Sequence, residues 1–495
     1  MKRLTLTPPS PRRLTAALAA LFAAPFFAPA PPARADVLDL IGYRNLTDRP
    51  DAFQTTPGTG VPVAQVEVPA AGASGYGPDT NATQLAGKQF TYRSGDPGGT
   101  SGHATMVATL FYGTTSPAPG VTDVALFSAQ SFLDGLLRTG RNNRGPGRAG
   151  AMVVNNSWIA GYASDTANVE AVRRLDDLIN RDDVLVFNAV GNTAADPFPK
   201  LLATSYNGVS VGTKSGSFGP VTFDAPAPRI KPDLIVDTDT TSVATALASG
   251  AGALLRGVAR DRELPAGELA IKSILMATAD RDASWHRGRS SGKDNVTAPL
   301  DFQQGAGQLR VDHAYDVLTS GKRSVEAPIP AEAGWDYART PRKRHTVSYA
   351  LHVDQALSNW DAVLTWNRLI AGVQDDGSYD TEAATADLDL ALYLNKRGGK
   401  RLIAYSNSPA DNVESLQVAD LAAGDYQLVL TTDARAYYAL AWYANPDATA
   451  AAIARSAHAG PGSINPGEFS AVPEPGTLTL ILPLAAIALR RPRRR

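Results

Sequence analysis

The sequence predicts an α/β domain with a parallel sheet flanked by helices, followed by an all-β sandwich. Two patterns carry this prediction. From about residue 61 to residue 318, short β-branched runs (Val61 to Val66, Met152 to Asn155, Val184 to Phe187, Val209 to Val211) alternate with longer helix-like segments such as Val169 to Asn180. That alternation is the signature of parallel strands joined by crossover helices. Beyond Val325 the texture changes. Leu388, Leu390, Leu392 and Leu394 occupy every second position, as do Tyr426, Leu428 and Leu430, and then Tyr438, Leu440 and Trp442. A period of two belongs to strands with one buried face, and several such runs in series make a sandwich.

The chain has 495 residues, enough for two or three domains at about 150 residues each. We divide it into a signal peptide at 1–35, the α/β domain at 36–322, the sandwich at 325–445, an Ala-, Gly-, Pro- and Ser-rich linker at 446–470, and a C-terminal sorting segment at 472–495. Hydrophobic residues make up 44% and charged residues 19%, and the formal net charge is -1. That balance supplies no field to attract nucleic acid, so no nucleic-acid partner is expected. The absence of cysteine excludes disulfides, thiol catalysis and thiolate metal sites.

Both ends read as export signals. Lys2, Arg3, Arg12 and Arg13 precede the apolar run Leu14 to Phe27 and the small-residue site Ala33-Arg34-Ala35, the three parts of a signal peptide. An internal hydrophobic helix is the other reading, which Pro25, Pro29, Pro31 and Pro32 would break. Arg12-Arg13 also fits a twin-arginine signal. At the other end, Val472-Pro473-Glu474-Pro475-Gly476 precedes the apolar stretch Leu478 to Leu489 and a tail of arginines. The stretch is shorter than the ~20 residues of a membrane span, and the basic tail would stay at the cytoplasmic face. This tripartite pattern resembles the PEP-CTERM sorting signal. The resemblance implies an exosortase-type sorting peptidase as a partner, transient membrane anchoring, and a final place at the cell-envelope surface or outside the cell; a plain C-terminal anchor is the alternative.

Acyl transfer by a serine hydroxyl needs a base in reach, a carboxylate to orient that base, and donors for the oxyanion. Of six histidines only His103 precedes residue 286, so a His-dependent site on the α/β domain has one candidate. It follows Gly102 at the start of an apolar helix-like run. Ser242 begins a small-residue helix, where a helix N-terminus favours developing negative charge. Taken alone, Ser242 also reads as an N-cap, and Gly191-Asn192 as a turn.

Five segments in order resemble the subtilisin-like serine peptidases, over about residues 61–318. Gly102-His103-Ala104-Thr105-Met106-Val107-Ala108 resembles the family's G-H-G-T-H-V-A. Val153-Val154-Asn155-Asn156-Ser157-Trp158 resembles the strand that pairs with bound substrate, which implies Asn156 and Ser157 as substrate-binding positions. Phe187-Asn188-Ala189-Val190-Gly191-Asn192 resembles the A-A-G-N segment and implies Asn192 as the oxyanion-hole amide. Lys231-Pro232-Asp233-Leu234 resembles the K-P-D run, and Thr241-Ser242-Val243-Ala244-Thr245 resembles T-S-M-A-T with the nucleophile at Ser242. Lys272 to Ala279 and Gly305-Ala306-Gly307 are similar to the end of that domain. The resemblance implies a subtilisin-like sheet, His103 as base, and protein or peptide substrates.

The acid departs from the family's Asp. Val63-Ala64-Gln65-Val66 runs into Glu67, so the expected triad is Glu67, His103 and Ser242. One added methylene displaces the carboxylate by about 1.5 Å, so the strand must be set back or the orienting bond weakens. Asp79 and Asp96 are alternative acids. Met106, Ala104, Thr240 and Ala246-Leu247 also depart from the family pattern, and Thr240 raises the question whether a glycine with positive φ is needed beside the nucleophile. Residues 36–60 are too few for a folded prodomain.

Residues 386–394, 408–413 and 423–426 resemble the pre-peptidase C-terminal sandwich found beside secreted peptidases. No cofactor is required by this reading. Asp387 and Asp389 are the candidates for a structural Ca²⁺, which takes carboxylate oxygens; outward polar residues on a half-exposed strand are the other reading. Three functions remain in view: an endopeptidase, a catalytically inactive surface scaffold that binds through the same fold, and an esterase or amidase using the same triad.

Overall fold

A computed structural model describes residues 36–69, 75–288, 296–342, 345–445 and 481–482. The expected signal peptide at 1–35, the linker at 446–470 and the sorting segment at 472–495 lie outside the described residues, except for Ile481–Leu482, which pairs in parallel with Gly161–Tyr162. By its internal contacts the chain divides into Met1–Arg34 and Ala35–Arg495, and all the described residues belong to the second unit.

Seven strands form a parallel sheet: β1 (Val63–Glu67), β2 (Gln89–Tyr92), β3 (Asp123–Ser128), β4 (Val153–Asn156), β5 (Leu185–Ala189), β6 (Val209–Gly212) and β7 (Leu234–Ile235). Their order is β7-β6-β5-β4-β1-β3-β2. Chain order therefore reverses at β1, with β2 and β3 on one side and the later strands on the other. Such a reversal opens a crevice outside the carboxyl ends of the strands, and Glu67 is the last residue of β1.

Both faces of this sheet are covered, which is why its strands read as apolar runs rather than alternating ones. Val63, Val124, Leu126, Val153, Leu185 and Phe187 face one core, whereas Ala64, Val66, Ala125, Phe127, Val154 and Val186 face another. The helices are α1 (Gly102–Phe111), α2 (Asp165–Asp182), α3 (Thr241–Asp261), α4 (Glu268–Ala277) and α5 (Val311–Thr319). Residues of α1, α3, α4 and α5 fill the first core and those of α2 the second.

By length and composition α3 could cross a membrane, yet 94% of its apolar window is buried, so it is the central helix of the core. Its small residues have a packing reason. A Cβ on Gly250 would stand 2.9 Å from the Phe111 carbonyl oxygen, and one on Gly252 would stand 2.7 Å from the Phe187 ring. The helix thus approaches both α1 and the sheet more closely than a larger residue allows.

Eight antiparallel strands follow: β8 (Ala333–Arg339), β9 (Thr346–Val353), β10 (Leu357–Trp366), β11 (Leu388–Lys396), β12 (Gly399–Ser406), β13 (Val413–Leu421), β14 (Gly424–Thr432) and β15 (Tyr437–Ala444). They form two sheets, β8-β15-β10-β13 and β9-β14-β11-β12. Trp360, Trp366, Trp442, Tyr349 and Tyr438 fill the space between them. Thr346–Val353 alternates exposed and buried, as a strand with one wet face does. From Trp360 to Trp366, by contrast, β10 is buried at every residue. Its second face lies against α4, where Val363, Ala439 and Ala441 join the α/β core.

The sandwich is also pinned by polar groups. Arg368 donates to Asp176 from Nε (2.9 Å) and Nη2 (2.5 Å), and to Asp224 from Nη1 (2.6 Å). Ser273 of α4 donates to the Val363 carbonyl at 2.8 Å, and Asn412 donates to Tyr206 O at 2.9 Å. The sandwich is therefore packed onto the α/β domain.

Candidate active site

Glu67 stands at the carboxyl edge of the sheet, on the same face of β1 as Val63 and Gln65. His103 is the second residue of α1, whose N-cap Ser101 accepts from Ala104 N at 3.2 Å. The imidazole Nδ1 lies 2.8 Å from Glu67 Oε2, and the two side chains are 10% and 1% exposed. At that distance the bond is of ordinary strong length, so the longer acid does not weaken it. Asp79 and Asp96 instead accept from the backbone of Asn81 (3.0 Å) and Gly98 (2.9 Å), as turn residues do.

The N-cap position, the alternative reading of Ser242, is held by Thr240, whose side chain accepts from Val243 N. Thr240 has φ -136°, an extended conformation open to any residue, so no glycine is required beside Ser242. Ser242 is the second residue of α3, which packs against α1. Its hydroxyl donates to the Ser157 carbonyl at 3.0 Å, and Ser157 Oγ donates back to the Ser242 carbonyl at 3.1 Å. Two turns further along α3, Ser249 accepts from Asn155 Nδ2 at 3.0 Å. The nucleophile candidate is thus tied to the end of β4 from both its own residue and its helix.

Asn192 follows β5, three residues past its last strand position. Its Oδ1 accepts from Thr241 N at 2.8 Å, and Thr241 Oγ1 lies 2.8 Å from the same oxygen and 2.7 Å from Val190 O. The Thr241 backbone N–H can only donate, which identifies that atom as the carbonyl oxygen. The Asn192 NH₂ therefore points away from Thr241.

Asn156 is fully buried, and its Nδ2 donates to Asn188 Oδ1 at 2.9 Å on the α2 side of the sheet. Its side chain is turned into the sheet, and at the strand end the Ser157 carbonyl is held by Ser242 Oγ. Lys231 and Asp233 form a buried pair at 2.7 Å. Lys231 Nζ also reaches Ser205 O (3.0 Å), and Asp233 Oδ2 accepts from Ser210 N (2.7 Å) and Oγ (2.8 Å). Burial lowers Lys231 to about 8 against the pull of Asp233. This pair staples β6 to the segment that leads into α3.

Three residues of the site were absent from the sequence reading as functional positions. Thr241 orients Asn192, and Gln65 and Tyr112 surround Glu67. Gln65 was detectable as a polar residue, besides Glu67, inside a fully buried strand. In the sandwich, Asp389 accepts from Thr431 at 3.1 Å, and burial with the neighbouring acids raises both Asp387 and Asp389. Among the described residues no group of three or more His, Asp or Glu is arranged to hold a metal ion. A cavity of about 680 Å³ between the lobes, lined by Met152, Arg256, Glu268 and Tyr337, sits at the amino ends of the strands, away from Glu67.

No family model and no curated protein matches the sequence. Among solved structures, the chain is similar to proteases. The prenylagaramide maturation protease PagA shares 18% identity at a TM-score of 0.39, over 57% of this chain and 99% of that one. The patellamide maturation protease PatA shares 19% identity at 0.38, over 54% and 99%. The serine protease of Aeromonas sobria, in complex with its chaperone, shares 15% at 0.37, over 79% and 89%.

Proposed function

We propose that the chain is a serine endopeptidase of the subtilisin-like type, exported and sorted to the cell surface. The observation that carries this reading is the buried Glu67–His103 bond at the carboxyl end of β1, with His103 on a helix packed against the one whose first turn carries Ser242. A carboxylate on Nδ1 holds the imidazole in the tautomer whose Nε2 accepts a proton.

In the proposed reaction Ser242 leaves the Ser157 carbonyl, gives its proton to His103 Nε2, and forms the Oγ–C bond with the substrate carbonyl. The Asn192 NH₂ and a backbone N–H receive the oxyanion. The imidazolium then protonates the leaving amine as the C–N bond breaks. Water repeats the sequence on the acyl-enzyme, delivering its proton to His103 and releasing the acid. Glu67 holds the Nδ1–H of His103 throughout and stabilises the imidazolium that forms.

The test is hydrolysis of casein by the full chain beside Ser242→Ala and Glu67→Ala. Parent activity that falls by orders of magnitude in both variants supports the triad; a folded parent as inert as its variants removes it. The Ser242–Ser157 hydrogen bond favours a second reading, a surface-binding scaffold with an unactivated serine. Rapid labelling of Ser242 by a fluorophosphonate excludes that reading, because only an activated serine reacts quickly.

A further inference from the structure

The carboxylate of a glutamate has one more rotatable bond to fix than that of an aspartate. Around Glu67 the fold supplies the missing constraint. Gln65 Nε2 donates to Glu67 Oε1 at 2.8 Å and to the Ala104 carbonyl at 2.9 Å, while the Tyr112 hydroxyl donates to Gln65 Oε1 at 2.5 Å. Gln65 and Tyr112 are 0% exposed and Glu67 is 1% exposed.

The direction of the Gln65 amide is determined by its surroundings. Reversed, it would set its oxygen against the Glu67 carboxylate and the Ala104 carbonyl, two acceptors facing a third. Tyr112 stays a donor, because burial and the Glu67 charge raise its hydroxyl far above its ordinary range. Glu67 Oε1 is thereby occupied from below, and Oε2 is left facing His103. Gln65 also grips α1 near both ends, through Ala104 beside His103 and through Tyr112 at the C-cap.

We propose that Tyr112 and Gln65 form a buried positioning relay, Tyr112 to Gln65 to Glu67 to His103, that aims a glutamate at the imidazole with the accuracy of a shorter acid. This rests on the peptidase reading for its catalytic consequence, but the relay itself concerns only the position of Glu67 against His103. Tyr112 and Gln65 are positioning residues: they touch neither substrate nor the reacting atoms.

The experiment compares the full chain with Tyr112→Phe and Gln65→Met, which keep the buried volume and remove the bonds. The readouts are the far-downfield proton resonance of His103 Nδ1–H, and kcat and KM measured separately on a peptide. Groups that orient a reacting imidazole from behind are worth roughly ten- to a hundredfold in activity. The expected result is a fall of that size in kcat with KM unchanged, and loss of the resonance by exchange with water, in both variants. Persistence of the resonance in both folded variants overturns the relay whatever the rates. If the parent is inert and Ser242 is not labelled, the peptidase reading fails by itself. Loss of the resonance in Tyr112→Phe then still supports the relay, and its persistence still overturns it.

Discussion

Glu67 Oε2 and His103 Nδ1 lie 2.8 Å apart although the residues are 36 positions apart in sequence. The site is built around this longer acid. Glu67→Asp would withdraw the carboxylate by about 1.5 Å, out of reach of both His103 and Gln65. We expect Glu67→Asp to be less active than the parent by about a hundredfold, despite restoring the aspartate of the pattern that the sequence resembles. Glu67→Gln should fall further, by up to ~10⁴, because the amide selects the wrong imidazole tautomer. Single-turnover peptide cleavage by the three proteins decides the order; an Asp variant as fast as the parent contradicts the fit.

In the proposed reaction Asn192 and Thr241 act as a pair in which only Asn192 touches the substrate. Asn192→Ala removes the oxyanion donor, with an expected loss of about 10²- to 10³-fold in kcat. Thr241→Val keeps the shape and the backbone donor but frees one side of the amide, which corresponds to about tenfold. Equal losses in the two variants would show that Thr241 does more than orient Asn192.

Arg368 joins the lobes through two carboxylates, with its side chain and both partners at most 3% exposed. Arg368→Ala leaves the buried Asp176 charge without its guanidinium, while Asp224 keeps Arg173 at 2.6 Å, so unfolding free energy should fall by about 3–5 kcal/mol. Denaturant titration of the full chain should show one transition for the parent, because the shared core joins both lobes. Independent melting of the sandwich would contradict this.

Glu268, at the start of α4, predicts a pH dependence. Burial raises its carboxyl from 4.5 to about 8, with the Asn367 amide at 2.5 Å working against that rise. A raised folded value means the fold binds the proton more tightly than the unfolded chain. The resulting stability is complete below about 4.5 and is lost as pH rises through about 8. Glu268→Gln mimics the protonated form, so it should match the parent below about 4.5 and exceed it by a margin that grows up to about pH 8. Melting temperatures across that range measure the crossing; parallel curves would rule out this group as the source.

Periodicity made the architecture legible because it reports how many faces of an element are wet. The apolar run at Val61 to Val66 marked a strand buried on both faces, and the alternation at Leu388 to Leu394 marked one with two environments. Element ends moved by a few residues, as for α2, read from Val169 to Asn180 and observed over Asp165–Asp182. Motif order brought out His103, Ser242 and Asn192, whereas Thr241, Gln65 and Tyr112 escaped because their roles are hydrogen bonds between distant segments. The N-cap reading of Ser242 failed by two residues, since Thr240 takes that position.

The sequence alone determined the two-lobe plan, the candidate reacting residues and the presence of an acid before the histidine, because side-chain chemistry and periodicity are local properties. Which acid reaches His103, which way the Asn192 amide faces, and whether the sandwich is tethered or fused to the α/β domain were decided only by tertiary structure. Each depends on atoms within about 3 Å that come from separate strands and helices. No pattern along the chain encodes that distance.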